Sequence, residues 1–229
     1  MDILNFKNIH KNKPILICGL GNSLNQLSKE QLNKCITIGV NDIGRVHPCD
    51  YLVYQDLLYR IFNSLRDYPN SHGSDEGRKI VNSISNSKSK YIFLHKYNEN
   101  INFFHHKIKN NCINLYTYKK MLPIDKTNIY DRDTIYYSSL SPLLAASLAI
   151  YMGASIIGFI GFDLTGAHAF GYRIKASLEV FTININRINN DSAHLMKLLP
   201  DIDFYNLSNI SKISSIPKID INYITEFFC

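Results

Sequence analysis

Four polar clusters in this sequence each close a short apolar run. Gly19-Leu20-Gly21-Asn22-Ser23 follows Ile15–Cys18, Asn41-Asp42 follows ITIGV, Gln55-Asp56 closes YLVYQ, and Asp163 comes soon after IIGFI. A glycine turn that opens a helix brings backbone N–H groups and the positive end of the helix dipole to a phosphate. The amide of Asn41 suits a sugar hydroxyl, a phosphate or a base edge. Asp56 and Asp163 suit ribose binding or general-base work. Each cluster also has a plainer reading: a tight turn, a residue that closes a strand, or a strand-end cap. Gly19-x-Gly21 is followed by Leu24 where a dinucleotide fingerprint has its third glycine, and it is not a Walker A loop.

His168 lies in the glycine-bounded stretch TGAHAFGY, five residues past Asp163, and is the histidine best placed to act as a base. Asp131-Arg132-Asp133 has the DxD spacing by which nucleotide-sugar enzymes hold Mg²⁺ or Mn²⁺, and Asp201-Ile202-Asp203 shares it. His105-His106 and His194 have no partners at ligand spacing and read as surface residues. We assign no metal ligands; a divalent ion remains a candidate companion of the substrate.

The elements that must position these residues follow from the apolar pattern. Strands are expected at 14–18, 36–40, 51–55, 90–94, 113–116, 156–160 and 203–207. Helices are expected at 57–66, at 140–152 and within 174–199. Ser28-Lys29-Glu30-Gln31 reads as a capping box opening a short helix. Strands alternating with helices predict an α/β fold: a Rossmann-like, mostly parallel sheet with helices on both faces. In such sheets ligands bind outside the carboxyl ends of the strands, so the four clusters should converge there. The Ser/Asn-rich stretch 68–89 reads as a surface insertion or lid. The chain is expected to form one domain over 1–229, with an irregular insertion at about 68–134. Residues 208–229 read as a loosely packed tail.

At 229 residues, 45% hydrophobic, the chain can bury a real core. Its net charge of +6 is compatible with a phosphate-bearing partner, although no dense Lys/Arg block is present. Five scattered cysteines with no CxxC pair (Cys18, Cys35, Cys49, Cys112, Cys229) and a polar N-terminus fit a cytoplasmic protein with reduced thiols. Leu143–Phe162 carries no charge over a length that would span a bilayer. Gly153 divides it into a buried helix and a β-branched strand, so no transmembrane segment is expected.

The stretches ICGLGNSLNQL, IGVND, YLVYQD and SLSPLLAASLAIYMGASIIGFIGFDL resemble bacterial sialyltransferases that use CMP-sialic acid. They are similar also to the related motility-accessory glycosyltransferases and to the 6-hydroxymethylpterin pyrophosphokinase-like group. The likeness covers about residues 14–60 and 136–170, with a looser echo to 210. It implies a glycosyltransferase moving a sugar from a CMP- or UDP-linked donor to an acceptor hydroxyl on a glycan or on modified DNA. It further implies that Gly19, Gly21, Asn22 and Ser23 contact the donor phosphate or ribose, and that Asn41 faces the nucleotide. Ser141 would meet the phosphate or base, and Asp163 would hold the donor near the reacting centre. Leu20 and Asn22 stand where the family has asparagine and proline. No histidine occupies 181–187, where the sialyltransferases place their catalytic one, which leaves His168 or Asp56 to supply the base. The alternatives are a pterin pyrophosphokinase-like phosphotransferase using ATP and Mg²⁺, and a nucleotide-binding module without catalysis.

Overall fold

The computed structural model describes residues 3–41, 43, 47–54, 89–94, 111–114, 120–121, 132–133, 135–137, 140–165 and 178–229. Nine strands are described: β1 (Pro14–Cys18), β2 (Thr37–Val40), β3 (Tyr51–Tyr54), β4 (Tyr91–Leu94), β5 (Asn111–Asn114), β6 (Lys120–Met121), β7 (Tyr136–Tyr137), β8 (Ile156–Ile160) and β9 (Asp203–Asn206). The described α-helices are α1 (Lys29–Lys34), α2 (Ser141–Tyr151), α3 (Leu178–Leu198) and α4 (Ile224–Phe228). Seven strands form one sheet in the order β5-β4-β3-β2-β1-β8-β9, and every pairing in it is parallel. β6 and β7 pair separately. The chain therefore builds outward from β1 to β5, then returns to add β8 and β9 on the other side of β1. The gap between β1 and β8 is the point where the strand order reverses.

Alternation along β1 shows why both faces are covered. Ile15 and Ile17 enter a cluster with Leu144 and Leu148 of α2 and Ile188 and Leu195 of α3. Leu16 and Cys18 enter another with Leu32 of α1 and Ile224 and Phe228 of α4. A strand buried on both sides must be apolar at every position, which is how PILIC reads. Gly158 of β8 provides a flat bed for the Phe228 ring: a Cβ there would lie 2.5 Å from the ring edge.

α2 is buried at every position except Pro142, as befits a helix apolar all round. It ends in a Schellman motif. Gly153 N–H donates to Ile150 O and Ala154 N–H to Ala149 O, with Gly153 at φ +90°. The charge-free stretch 143–162 is thus a helix, a glycine stop and a central strand. Among the described residues, no helix is long and apolar enough to cross a membrane. The capping box is also present: Ser28 Oγ accepts from Gln31 N at 3.1 Å, and Gln31 Oε1 accepts from Ser28 N at 2.9 Å.

Two expectations change. Residues 208–229 are packed, with Ile213, Ile216, Ile224 and Phe228 buried. Their apolar side chains are irregularly spaced because they serve both faces of the sheet in turn. Within 68–134 the strands expected at 90–94 and 113–116 are present as β4 and β5 of the main sheet, and most of the remainder lies outside the described residues. Cys35 and Cys229 are paired as a disulfide, their Cα atoms 4.5 Å apart, where unpaired thiols were expected. Cys18 and Cys49 are free and buried. The hydrogen bond to Cys49, together with burial, pushes the Cys18 thiol well above its ordinary range, so it behaves as a core side chain.

Candidate functional site

The carboxyl ends of β1 and β8 meet in a backbone-to-backbone contact. Gly19 N–H donates to Ile160 O at 2.8 Å, and Gly21 N–H to Gly161 O at 2.5 Å. Gly161 has φ +77°, in the left-handed region that favours glycine. A Cβ on Gly19 would lie 2.6 Å from Gly161 O, and one on Gly21 would lie 2.8 Å from Asp163 Cγ. These glycines are required by the approach of the two loops. Their N–H groups bond across the switch point.

Asp163 anchors that junction. It is 1% exposed and Ser23 is 0% exposed. Asp163 Oδ1 accepts from Ser23 Oγ at 2.5 Å and from Ser208 Oγ at 2.6 Å, and Oδ2 accepts from Ser23 N at 2.7 Å. Ser23 Oγ in turn accepts from Gly161 N at 3.0 Å. The next residue, Leu164, sits at φ +53°, a conformation that costs a non-glycine residue energy and persists where surrounding bonds hold it. The segment after β9 supplies those bonds: Ser211 Oγ donates to Phe162 O and Lys212 N to Asp163 O, both at 2.9 Å.

Beside this junction, Asn41 closes β2 at φ +53°, which asparagine tolerates better than most residues. Its Nδ2 donates to Ser141 Oγ at 3.3 Å. Ser141 is the first residue of α2, followed by Pro142 in the first turn, where the missing N–H costs nothing. α2 packs against β1, β2 and β3 with its N-terminus toward their carboxyl ends. A half-exposed amide, a serine hydroxyl and the start of a helix thus share the rim next to the switch point.

Of the sequence-derived site residues, the structure brings Gly19, Gly21, Ser23 and Asp163 together and sets Asn41 with Ser141 at the adjacent strand end. Asn22 begins a short 3-10 helix, and its Oδ1 accepts from Asn25 Nδ2 at 2.9 Å. Asp56 and His168 lie outside the described residues. Of the DxD segment, Asp131 lies outside the described residues, and Arg132 and Asp133 face elsewhere. Asp133 pairs with Lys7 at 2.9 Å, and Arg132 pairs with Asp201, near the amino ends of β1 and β9. Asp201 is held below the usual carboxylate range by its hydrogen bond from Arg132. Among the described residues, no group of three His, Cys, Asp or Glu is arranged to hold a metal ion.

Sequence reasoning missed Gly161 and Ser208. Gly161 was visible as the glycine that separates the apolar run of β8 from Asp163. Ser208 follows β9, so the rule that found the other four clusters, applied to the last strand, would have found it.

No protein-family model matches the chain, and no curated protein matches it by sequence. Among solved structures, it is similar to the sialyltransferase CstII from Campylobacter jejuni in complex with the substrate analogue cytidine-5'-monophosphate. That likeness covers 91% of this chain and 85% of CstII, at 16% identity and a TM-score of 0.50. A mutant of CstII, described as an alpha-2,3/8-sialyltransferase, gives 16% identity, coverage of 90% and 86%, and the same TM-score of 0.50. The MAf glycosyltransferase from Magnetospirillum magneticum AMB-1 is similar at a TM-score of 0.57 and 9% identity, over 94% of this chain and 35% of its own. The chain thus spans about a third of that protein. The chain shares the α/β fold of these structures.

Proposed function

We propose that this protein is a glycosyltransferase that binds a nucleotide-sugar donor outside the carboxyl ends of β1 and β8. The observation that carries the reading is the switch point itself. The two glycine loops meet there, and Asn41, Ser141 and the N-terminus of α2 stand beside them. Ligands of doubly wound sheets bind at that position. CstII, which shares the fold, was solved with cytidine-5'-monophosphate, so a CMP-linked donor is the first to test and a UDP-linked donor the second.

Asn41 and Ser141 would contact the nucleotide, with the turn at Gly19, Gly21, Asn22 and Ser23 beside the phosphate. Donors aimed at the leaving phosphate would stabilise its developing charge. His168 would take the proton of the acceptor hydroxyl, with Asp56 as the other candidate. Asp163 is suited to holding the turn, because protein donors fill its carboxylate and burial hides it from an acceptor. The acceptor would be a glycan. Arg45 and Arg173, to which a DNA acceptor would turn for phosphate contacts, lie outside the described residues, and nothing described favours DNA. A phosphotransferase using ATP and Mg²⁺ would need Asp163 as a metal ligand, and its oxygens are engaged by Ser23 and Ser208.

The test is a thermal-shift panel with CMP, UDP, GDP and ATP, followed by donor turnover with and without glycan acceptors. CMP or UDP should stabilise the protein, and the matching sugar nucleotide should be consumed. Stabilisation by ATP alone would favour the phosphotransferase. Tight nucleotide binding without turnover of any sugar nucleotide would leave the non-catalytic module.

A further inference from the structure

Asp163 is the meeting point of three chain segments. Ser23 comes to it from 140 residues earlier and Ser208 from 45 residues later. Ser208 is 0% exposed and so is out of reach of any ligand. Its own backbone is fixed as well: Ser208 N donates to Asn206 Oδ1 at 3.0 Å, and Asn206 Nδ2 donates to Ile213 O at 3.2 Å. The hydroxyl is therefore delivered to Asp163 from a rigid turn.

Resting on the nucleotide-donor reading above, we propose that Ser208 is a positioning residue for donor binding. Its hydroxyl completes the acceptor shell of Asp163, and Asp163 in turn fixes the Ser23 amide and the turn that follows β1. Two hydroxyls share Oδ1, one from the turn and one from the segment after β9. Removing Ser208 Oγ leaves a buried carboxylate oxygen short of a donor, a costly state that is relieved by shifting the carboxylate. Ser23 is bonded to both carboxylate oxygens, and its Oγ also receives Gly161 N–H. Any such shift moves the β1 turn and the β8 loop together. The segment after β9 thereby sets how well the site is organised without touching what binds there.

The experiment compares wild type, Ser208→Ala and Ser208→Cys, with Ser215→Ala as a control. Ser215 Oγ contacts Asn189 and Ser192 on α3, so its loss loosens the same segment away from Asp163. Two quantities are read: hydrogen exchange of backbone amides 21–24, and the Kd for CMP. In Ser208→Ala the turn amides should exchange about tenfold faster or more, and CMP should bind about tenfold more weakly, the loss expected for a hydrogen bond to a charged group. Ser208→Cys keeps the volume with a weaker donor and should fall between. It carries the test if the alanine variant does not fold. Ser215→Ala should leave both readings at the wild-type level. Wild-type exchange in the turn of Ser208→Ala, or equal losses in Ser215→Ala, would overturn the proposal. Wild-type protein that binds none of CMP, UDP, GDP and ATP would overturn the donor reading, and with it the role in donor binding. Accelerated turn exchange in Ser208→Ala would then still mark the failure as one of ligand, not of the clamp.

Discussion

Gly19 and Gly161 pass each other so closely that neither has room for a Cβ. A methyl on Gly19 would lie 2.6 Å from Gly161 O, and one on Gly161 would overlap Gly19 O. Gly161→Ala therefore combines a backbone clash with a left-handed φ, and we expect a loss of about 3 kcal/mol or more. Thermal unfolding should show a drop of roughly 6–12 °C for a protein of this size. A variant that melts with the wild type would mean that the two loops separate freely.

Asn41 is best probed with glycine, since alanine would add left-handed strain at φ +53° to the loss of the amide. Asn41→Gly should weaken nucleotide binding by about 1 kcal/mol, roughly fivefold. Its melting temperature should stay within about 2 °C of wild type, because a rim residue contributes little packing. Isothermal titration and calorimetric melting on the same samples separate the two effects. Unchanged affinity with a lowered melting point would make Asn41 a strand-closing residue only.

Two histidines make stability depend on pH. Burial lowers the His10 pKa below 6.5, with Asp50 partly opposing. His10 Nε2 lies 2.7 Å from the Tyr51 hydroxyl. Burial, then the Lys29 charge, lowers the His47 pKa below 6.5, again against Asp50. His47 is 3% exposed, and neither ring nitrogen has a hydrogen-bond partner among the described residues. The unfolded chain thus takes up these protons first as pH falls. Stability should be full above pH 6.5 and should decline as pH drops from there toward the lowered folded values. At the alkaline end, burial and the charge of Asp50 push Tyr51 up to about 12, so stability should decline again as pH rises from 10 toward 12. Melting curves from pH 5 to 11 check both limbs. His47→Leu should flatten the acid limb, and an unaltered slope would assign it to other groups.

The Cys35–Cys229 bridge closes a loop across a sequence separation of 194 residues. By loop-closure reasoning, reduction should cost about 2–5 kcal/mol. Alkylation of the unreduced protein followed by mass measurement should leave Cys35 and Cys229 unlabelled. A reductant should then lower the melting temperature. Full labelling of both thiols without reductant would show that the bridge is not formed under the conditions used.

What was legible in the sequence was local chemistry. The capping box needs only Ser28 and Gln31 three residues apart. Gly153 announces the end of α2 because few residues other than glycine accept its φ. The position of Asp163 at a strand end followed from the apolar run before it. What was illegible depends on residues far apart in the chain. Nothing near Asp163 signals that Ser23 and Ser208 will fill its carboxylate. The glycines of the first turn read as room for a phosphate, yet their missing side chains make room for Gly161 and Asp163. Ile213 and Ile216 pack on one face of the sheet, and Ile224 and Phe228, one helical turn apart on α4, pack on the other, so no single period runs through this segment.

The position of β1 has a consequence for how the chain acquires its shape. β1 is central, yet one of its two neighbours, β8, lies far along the chain, as do the residues that lock its turn. A ribosome-bound chain can pair β1 with β2 early, but the other edge of β1 stays open until most of the sequence has emerged. Its apolar residues stay exposed meanwhile, which makes this a slow-folding topology. The crevice at the switch point is correspondingly among the last features to form, so the protein gains the means to bind only when its core is complete.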